Sequence, residues 1–271
     1  MMKQKQTRKS RLLPKVVLGV LALVGLAVGG VALIARKNVA AMNRTISAAL
    51  DTLQQHYTIT QLDPEEYREI TLHGLMKFQV EQYEIEHLGN LSVMRVNLGL
   101  MQMATFVITP REVNLPLLSA DYMYILTNRK AYLEFYDLVE QKDEAYLELM
   151  DTLQGVVDQY AHLEPLEITP AWYAHLLTVT SYRGGGTEAD RPLESLLVYS
   201  VEAYLAYARA LPLLSEEEQR AKRDITVAYT DGLIEQGGIS TDMFKEQLGA
   251  EQTRDFFARV FFGTGAQPAQ S

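Results

Sequence analysis

The sequence predicts an α+β protein, an α/β/α sandwich whose central antiparallel sheet is flanked by helices, plus one N-terminal transmembrane helix. Three observations carry this expectation. Residues 16–35 form an unbroken run without a charged residue. Residues 67–138 are short stretches rich in Val, Ile, Tyr, Phe and Thr separated by Gly, Pro and Asn, the pattern of a β-meander. From about residue 143 onward, apolar residues recur mostly at helical spacing. Strands first and helices afterwards is the order of an α+β domain.

The chain opens with a basic segment, residues 1–15, that holds Lys3, Lys5, Arg8, Lys9, Arg11 and Lys15. The uncharged run that follows matches the roughly 20 residues a helix needs to cross a bilayer. It exceeds the 7–15-residue apolar core of a cleaved signal peptide, so it reads as an anchor in contact with membrane lipid. Arg36, Lys37 and Arg44 lie beyond it. The greater basic charge before the span predicts a cytoplasmic N-terminus and a domain outside the cytoplasm.

Residues 38–58 continue as a juxtamembrane helix, with Val39, Met42, Ile46, Ala49, Leu50 and Leu53 along one stripe. Asp63-Pro64 breaks that pattern, and residues 62–263 are expected to form one domain. The meander should contain five or six strands. Its clearest hairpin runs from Leu117 to Leu138 and turns near Thr127-Asn128. Leu117, Ser119, Asp121, Met123 and Ile125 share one face of its first strand, and Leu118, Ala120, Tyr122, Tyr124 and Leu126 share the other. Both faces are largely apolar, so helices should cover the sheet on both sides.

Residues 143–160 supply one amphipathic helix. Thr169-Pro170 reads as a helix start, and Arg183 to Thr187, with its three consecutive glycines, as a mobile loop. A long helix should begin near Asp190, and Ser215 with Glu218 forms a capping box that opens another, closed by Gly237-Gly238. Phe256, Phe257, Val260, Phe261 and Phe262 need burial, so the last helix should dock on the body. Residues 264–271 are expected to be a disordered tail.

Composition removes several function classes. The chain has no cysteine among its 271 residues, which excludes disulfides, thiolate metal sites and cysteine nucleophiles. Residues 1–44 hold nine of the 25 Lys and Arg and no Asp or Glu, so the remainder sets 16 basic residues against 34 acidic ones. Such a domain lacks the clustered cations that nucleic acid requires. Gly184-Gly185-Gly186 lacks the Lys-Ser/Thr of a phosphate-binding loop. The histidines, His56, His73, His87, His162 and His175, show no metal-ligand spacing. Asn43 and Asn90 lie in tripeptides of the glycosylation type.

Asp121 is the residue to which chemistry points. Among Leu117, Ser119, Met123 and Ile125 its ionised form would be poorly solvated, and burial raises a carboxyl pKa toward neutrality, as a proton donor requires. Pairing with Arg95, or exposure at a sheet edge, would instead leave it a structural carboxylate.

The run from Val107 through Ile108, Thr109, Pro110, Arg111, Glu112, Val113, Asn114, Leu115, Pro116, Leu117, Leu118, Ser119 and Ala120 to Asp121 resembles the central segment of the ferredoxin-dependent bilin reductases. The hairpin that follows, the helical second half and the aromatic C-terminal helix are similar in order. The resemblance implies a linear tetrapyrrole held between the sheet and the C-terminal helices. It also implies Asp121 as proton donor, electrons from a ferredoxin-type donor and no bound cofactor or metal. Counted without gaps, Ala104 stands where some members carry a histidine donor, and Asn97 lies on the strand that supplies a glutamate in some. Arg95, Asn97 and Ala104 are therefore the expected ligand-binding positions beside Asp121. The other expectation is a non-catalytic membrane-tethered module that binds a ligand or a protein partner.

Overall fold

The structure, a computed structural model, describes residues 13–265, with side chains from residue 29 onward except at 239 and 240. Helix α1, Leu13–His56, is followed by β1, Ile59–Leu62, and by β2, Glu69–Leu72. The meander comprises β3 (Met76–Ile85), β4 (Gly89–Asn97), β5 (Met101–Pro110), β6 (Leu117–Ile125) and β7 (Asn128–Tyr136). Then come α2 (Glu144–Asp158), β8 (Glu164–Pro165), β9 (Leu177–Gly185), α3 (Asp190–Ala208), α4 (Glu216–Gln236) and α5 (Ile239–Phe256). All strand pairings are antiparallel, in the order β1-β3-β4-β5-β6-β7-β9-β8, with β2 also on β3.

Alternation along the strands builds two cores. Leu91, Val93, Ala104, Phe106, Leu118, Ala120, Tyr122 and Leu133 face α1, α2 and α3. Phe78, Val80, Met94, Val96, Val107 and Leu117 face α4, α5 and the C-terminal turn. The expected sandwich follows from this two-sided burial.

The expected juxtamembrane helix is one layer of the sandwich. Asn38, Ala41, Met42, Thr45, Ile46, Ala49 and Leu53 are buried, and Thr45 and Tyr124 share a hydrogen bond of 3.1 Å. The domain thus begins by Asn38, and its helix is continuous with the uncharged run. Among the described residues no helix is long and apolar enough to cross a membrane. Most of the expected span at 16–35 falls on residues whose side chains lie outside the description, as does nearly all of the basic segment.

Two local expectations change. Arg183–Gly185 belongs to β9 and pairs with β7, and only then does a short 3-10 turn, Thr187–Ala189, lead to α3. The glycines serve close approach here. A Cβ on Gly184 would lie 2.9 Å from the Arg129 carbonyl oxygen and 2.9 Å from Leu166 Cδ2. Thr169-Pro170 opens no α-helix. A 3-10 turn at Trp172–Leu176 delivers the chain into β9, because the residues from Leu177 onward continue the sheet.

Other signals match what the chain does. Ser215 and Glu218 form both halves of the capping box, and α4 ends at Gly237 with φ 88°. The C-terminal aromatic residues are buried, and the reason includes polar groups. After α5, a π-helical turn at Phe257–Phe261 leaves carbonyls outside the usual i→i−4 ladder. Asn90 Nδ2 donates to the Val260 and Phe261 oxygens at 3.2 Å each, and Ser92 Oγ donates to Phe261 O at 2.8 Å. Gln82 Nε2 donates to Asn90 Oδ1 at 2.7 Å and to Arg259 O at 2.9 Å. Asn90, fully buried, is a latch for the C-terminal turn and presents nothing for glycosylation. Of the expected tail, Thr264 is buried and Gly265 N donates to Ala258 O at 2.8 Å, while residues 266–271 lie outside the description.

Candidate functional site

Strand β6 carries Asp121 toward the α4 and α5 side of the sheet, because Leu118, Ala120, Tyr122 and Tyr124 occupy the other side. Directly opposite on β5 stands Thr105, whose Oγ1 donates a short hydrogen bond to Asp121 Oδ1. On the other flank Tyr132 is the register partner, with Glu134 two residues on. Glu134 accepts from Tyr136 Oη at 2.6 Å and from Tyr182 Oη at 2.8 Å.

The helices cover this face unevenly. Phe78, Val80, Met94 and Val96, on β3 and β4, are fully buried beneath α5 and the C-terminal turn. Met103, Ser119, Asp121, Met123, Tyr132 and Glu134 lie on central strands yet remain half-buried, as does Tyr182 on β9. Inward-facing residues of central strands that keep accessible surface line a cleft between sheet and helices. Its wall is aromatic. Trp172, Tyr173, Tyr136 and Tyr229 pack with ring centroids 5.2 to 6.1 Å apart, and Tyr229 meets Phe262 at 5.8 Å. Gly232 makes room for that wall, since a Cβ there would sit 2.4 Å from the Trp172 ring. Trp172 Nε1 donates to Gly237 O at 2.8 Å, which fixes the indole against α4.

Asp121 keeps some accessible surface although protein surrounds its carboxyl, and its charge reaches Tyr173 and Tyr229 of the aromatic wall. Removal from water pushes its pKa up to about 6; the Thr105 hydrogen bond opposes the rise and the Glu134 charge adds to it. No cation offsets the desolvation in that balance. A carboxyl with a pKa near 6 can hold or release a proton close to neutral pH.

The other expected site residues do not join it. Arg95, Asn97 and Ala104 have the parity of Leu91 and Val93 and project to the α1 side. Arg95 is paired with Glu81, so it is no partner for Asp121. Asn97 Oδ1 accepts from Gly99 N and from Gln102 Nε2 at 3.0 Å each, the role of a turn residue. Ala104 is packed in the first core. Ala104 and Thr105 are adjacent on β5, so they point to opposite faces of the sheet. The position opposite Asp121 is Thr105. Sequence reasoning also misses Glu134 and Tyr182; the period-2 alternation of Tyr132, Glu134 and Tyr136 is the available signal for the first, and Tyr182 is hidden because Arg183 to Thr187 has the composition of a loop.

A surface hollow of about 670 Å³ lies at the edge where β1 and β2 both meet β3, lined by residues that include Asp63, Arg68 and Glu69. Asp63 and Arg68 satisfy each other at 2.9 Å, and Glu69 and Glu81 are paired with Lys77 and Arg95.

The same architecture occurs in a solved protein. The chain shares its fold with phytochromobilin synthase from tomato. The superposition has a TM-score of 0.66 and covers 82% of this chain and 84% of that synthase, at 15% sequence identity. The synthase structure is a complex with biliverdin, an open-chain tetrapyrrole. The bilin-reductase resemblance of residues 107–121 and the likeness to the synthase fold therefore agree. No family model and no curated protein sequence matches the chain.

Proposed function

We propose that the chain is a membrane-anchored, bilin-reductase-like protein that binds a linear tetrapyrrole in the cleft between its sheet and its C-terminal helices. One observation carries this reading: a carboxyl with a raised pKa at the foot of a partly open, aromatic-walled cleft, in a fold shared with a biliverdin-bound synthase. The floor and wall suit such a ligand. Met103, Met123 and the tyrosines offer apolar and aromatic surface to pyrrole rings, and Asp121 with Glu134 offers acceptors to their N–H groups.

If the bound molecule is reduced, each double bond takes two electrons and two protons. A ferredoxin-type donor would supply the electrons singly. Asp121 would hand over one proton and regain it through the cleft mouth, which its residual accessible surface supports. The uncharged run 16–35 supports anchoring, and the basic excess before it supports a cytoplasmic N-terminus. A catalytic domain on the outer side would need a one-electron donor on that side.

Thr105 favours a second reading, a tethered module that binds a tetrapyrrole or a protein partner without turnover. The residue opposite Asp121 carries a hydroxyl that does not titrate in the working range, so the cleft has one proton donor there rather than a pair.

Titration of biliverdin into the full chain in detergent micelles separates these outcomes. Binding is read as a shifted visible band, with a further spectral change as pH crosses about 6 that Asp121→Asn removes. Reduction is read by supplying a ferredoxin, its reductase and NADPH. An unshifted spectrum at ligand concentrations of roughly 100 μM would correspond to binding weaker than about −5.5 kcal/mol and would defeat the tetrapyrrole reading.

A further inference from the structure

The two ends of the sheet differ in chemistry. At one end lie the turn after Ile85, the β5–β6 connection and the segment after Tyr136, which expose Glu86, His87, Glu140 and Lys142. At the other end lie three successive hairpin tips, His73-Gly74-Leu75, Leu98-Gly99-Leu100 and Leu126-Thr127-Asn128. They hold no acidic residue in a domain that is strongly acidic. Each presents a leucine to solvent: Leu75 is 85% exposed, Leu100 48% and Leu126 41%.

These tips sit together. Phe78 pairs with Val96, so the 73–75 tip lies beside the 98–100 tip, and Leu126 N donates to Leu100 O at 3.0 Å. Leu126 adopts φ 54°, a conformation in which Gly or Asn would be easier, so backbone geometry gives no reason for a leucine.

The same rim is bonded to α1 at the point where the helix leaves the domain. Asn38 Nδ2 donates to Leu126 O at 2.9 Å, and Arg129, buried, donates from Nη2 to Asn38 Oδ1 at 3.0 Å. Arg129 also pairs with Asp190, which removes that acid from the rim's free charge. The uncharged run ends at Ala35, three residues before Asn38, or about 4.5 Å along a helix. Between them Arg36 and Lys37 are exposed.

We infer that this rim is a lipid-contacting surface: the three leucine tips enter the headgroup region of the membrane that holds α1. This rests on the anchor proposed above. Continuity of α1 with the apolar run leaves no flexible spacer, so the end of the domain bonded to Asn38 must lie against whatever surrounds the run. Exposed leucines beside Arg36 and Lys37 suit an interface with anionic headgroups, with Glu188, just past β9, an exposed acid at the margin. The contact fixes the domain's orientation. Met123 and Ile125, on the Asp121 face of β6, lead from Asp121 toward that rim, so the cleft floor runs to the bilayer surface, where an apolar ligand would concentrate.

The absence of cysteine makes the test clean. Leu75→Cys, Leu100→Cys, Leu126→Cys and, at the opposite end, Glu86→Cys are made singly in the full chain. Each is labelled with an environment-sensitive fluorophore and reconstituted in vesicles of equal phosphatidylcholine and phosphatidylglycerol, with and without headgroup-proximal nitroxide lipid. The three tip labels are expected to lose at least half their emission to the nitroxide, and the Glu86 label to lose almost none. Leu100→Asp with Leu126→Asp should abolish quenching of the Leu75 label while the chain stays with the vesicles. Equal quenching at all four sites, or none at the tips of vesicle-bound chain, overturns the inference and leaves the anchor standing. Chain that floats free of vesicles overturns both.

Discussion

Replacing Asp121 with Asn tests the physical premise of the site without any ligand. The folded-state pKa of about 6 stands roughly two units above the ordinary 3.8. Each unit is about 1.4 kcal/mol, so the ionised carboxyl costs the fold at most about 3 kcal/mol. The remnant of solvent access reduces this to about 1–2 kcal/mol. Between the two pKa values the folded state holds more protons than the unfolded one, so this group's stabilising contribution is complete below pH 4. It falls as pH rises to 6 and stays flat above that. Asn carries no charge and still accepts from Thr105. Urea unfolding of a chain beginning at Arg36, followed through the single Trp172, should show Asp121→Asn more stable than the parent by about 1–2 kcal/mol at pH 7.5. At pH 3.5 the two should be nearly equal. Other carboxylates titrate alike in both proteins and cancel in the difference. An Asn variant weakened equally at both pH values would mean a solvated carboxyl, and one weakened more at pH 7.5 an ion-paired one; either result defeats the proton-donor reading.

Neighbours of Asp121 should move the same titration in opposite directions: Thr105→Val should raise the pKa above 6 and Glu134→Gln should lower it, both readable from the carboxyl carbon's NMR shift. Asn90→Ala strips two donors from the π-helical turn and should cost about 2–3 kcal/mol in urea unfolding, against less than about 0.5 for Asn43→Ala on the exposed face of α1. Gly232→Ala drives a methyl into the rigid Trp172 indole and should cost about 1–3 kcal/mol, with a changed Trp172 emission spectrum in the folded state. A chain beginning at Thr58 loses the α1 layer over Phe106 and Tyr124 and should be aggregated or molten by near-UV circular dichroism, whereas one beginning at Arg36 should give a native spectrum.

The strands were legible where a single face-to-face alternation ran long enough to be counted. Residues 117–138 show this best: two apolar faces on β6 implied two helix layers, and the structure has them. Helix ends were legible where caps are chemical, as at Ser215, Glu218 and Gly237. What failed was local reading against tertiary demand. Gly184 and Gly185 have loop composition, yet β7 offers a partner edge and the glycines admit the Arg129 carbonyl and Leu166. The helix at 38–56 reads as a lead-in because its stripe says that something is buried against it and not what; its partner strands lie more than fifty residues downstream.

The candidate site was legible for one residue because only one signal pointed at it. A carboxylate among apolar neighbours on a strand announces itself, since its environment is fixed by residues at i±2. Thr105, Glu134 and Tyr182 announce nothing locally, and they converge only through cross-strand register on three other strands. That same register is unforgiving: moving the β5 alignment by one residue exchanges Thr105 in the cleft for Ala104 in the opposite core. Position-by-position transfer of roles between distant chains is therefore weakest at a sheet-borne site, where an uncounted bulge inverts every assignment. The face must be read from burial first, and on that reading the raised pKa of Asp121 is set by its burial, Thr105 and Glu134 together.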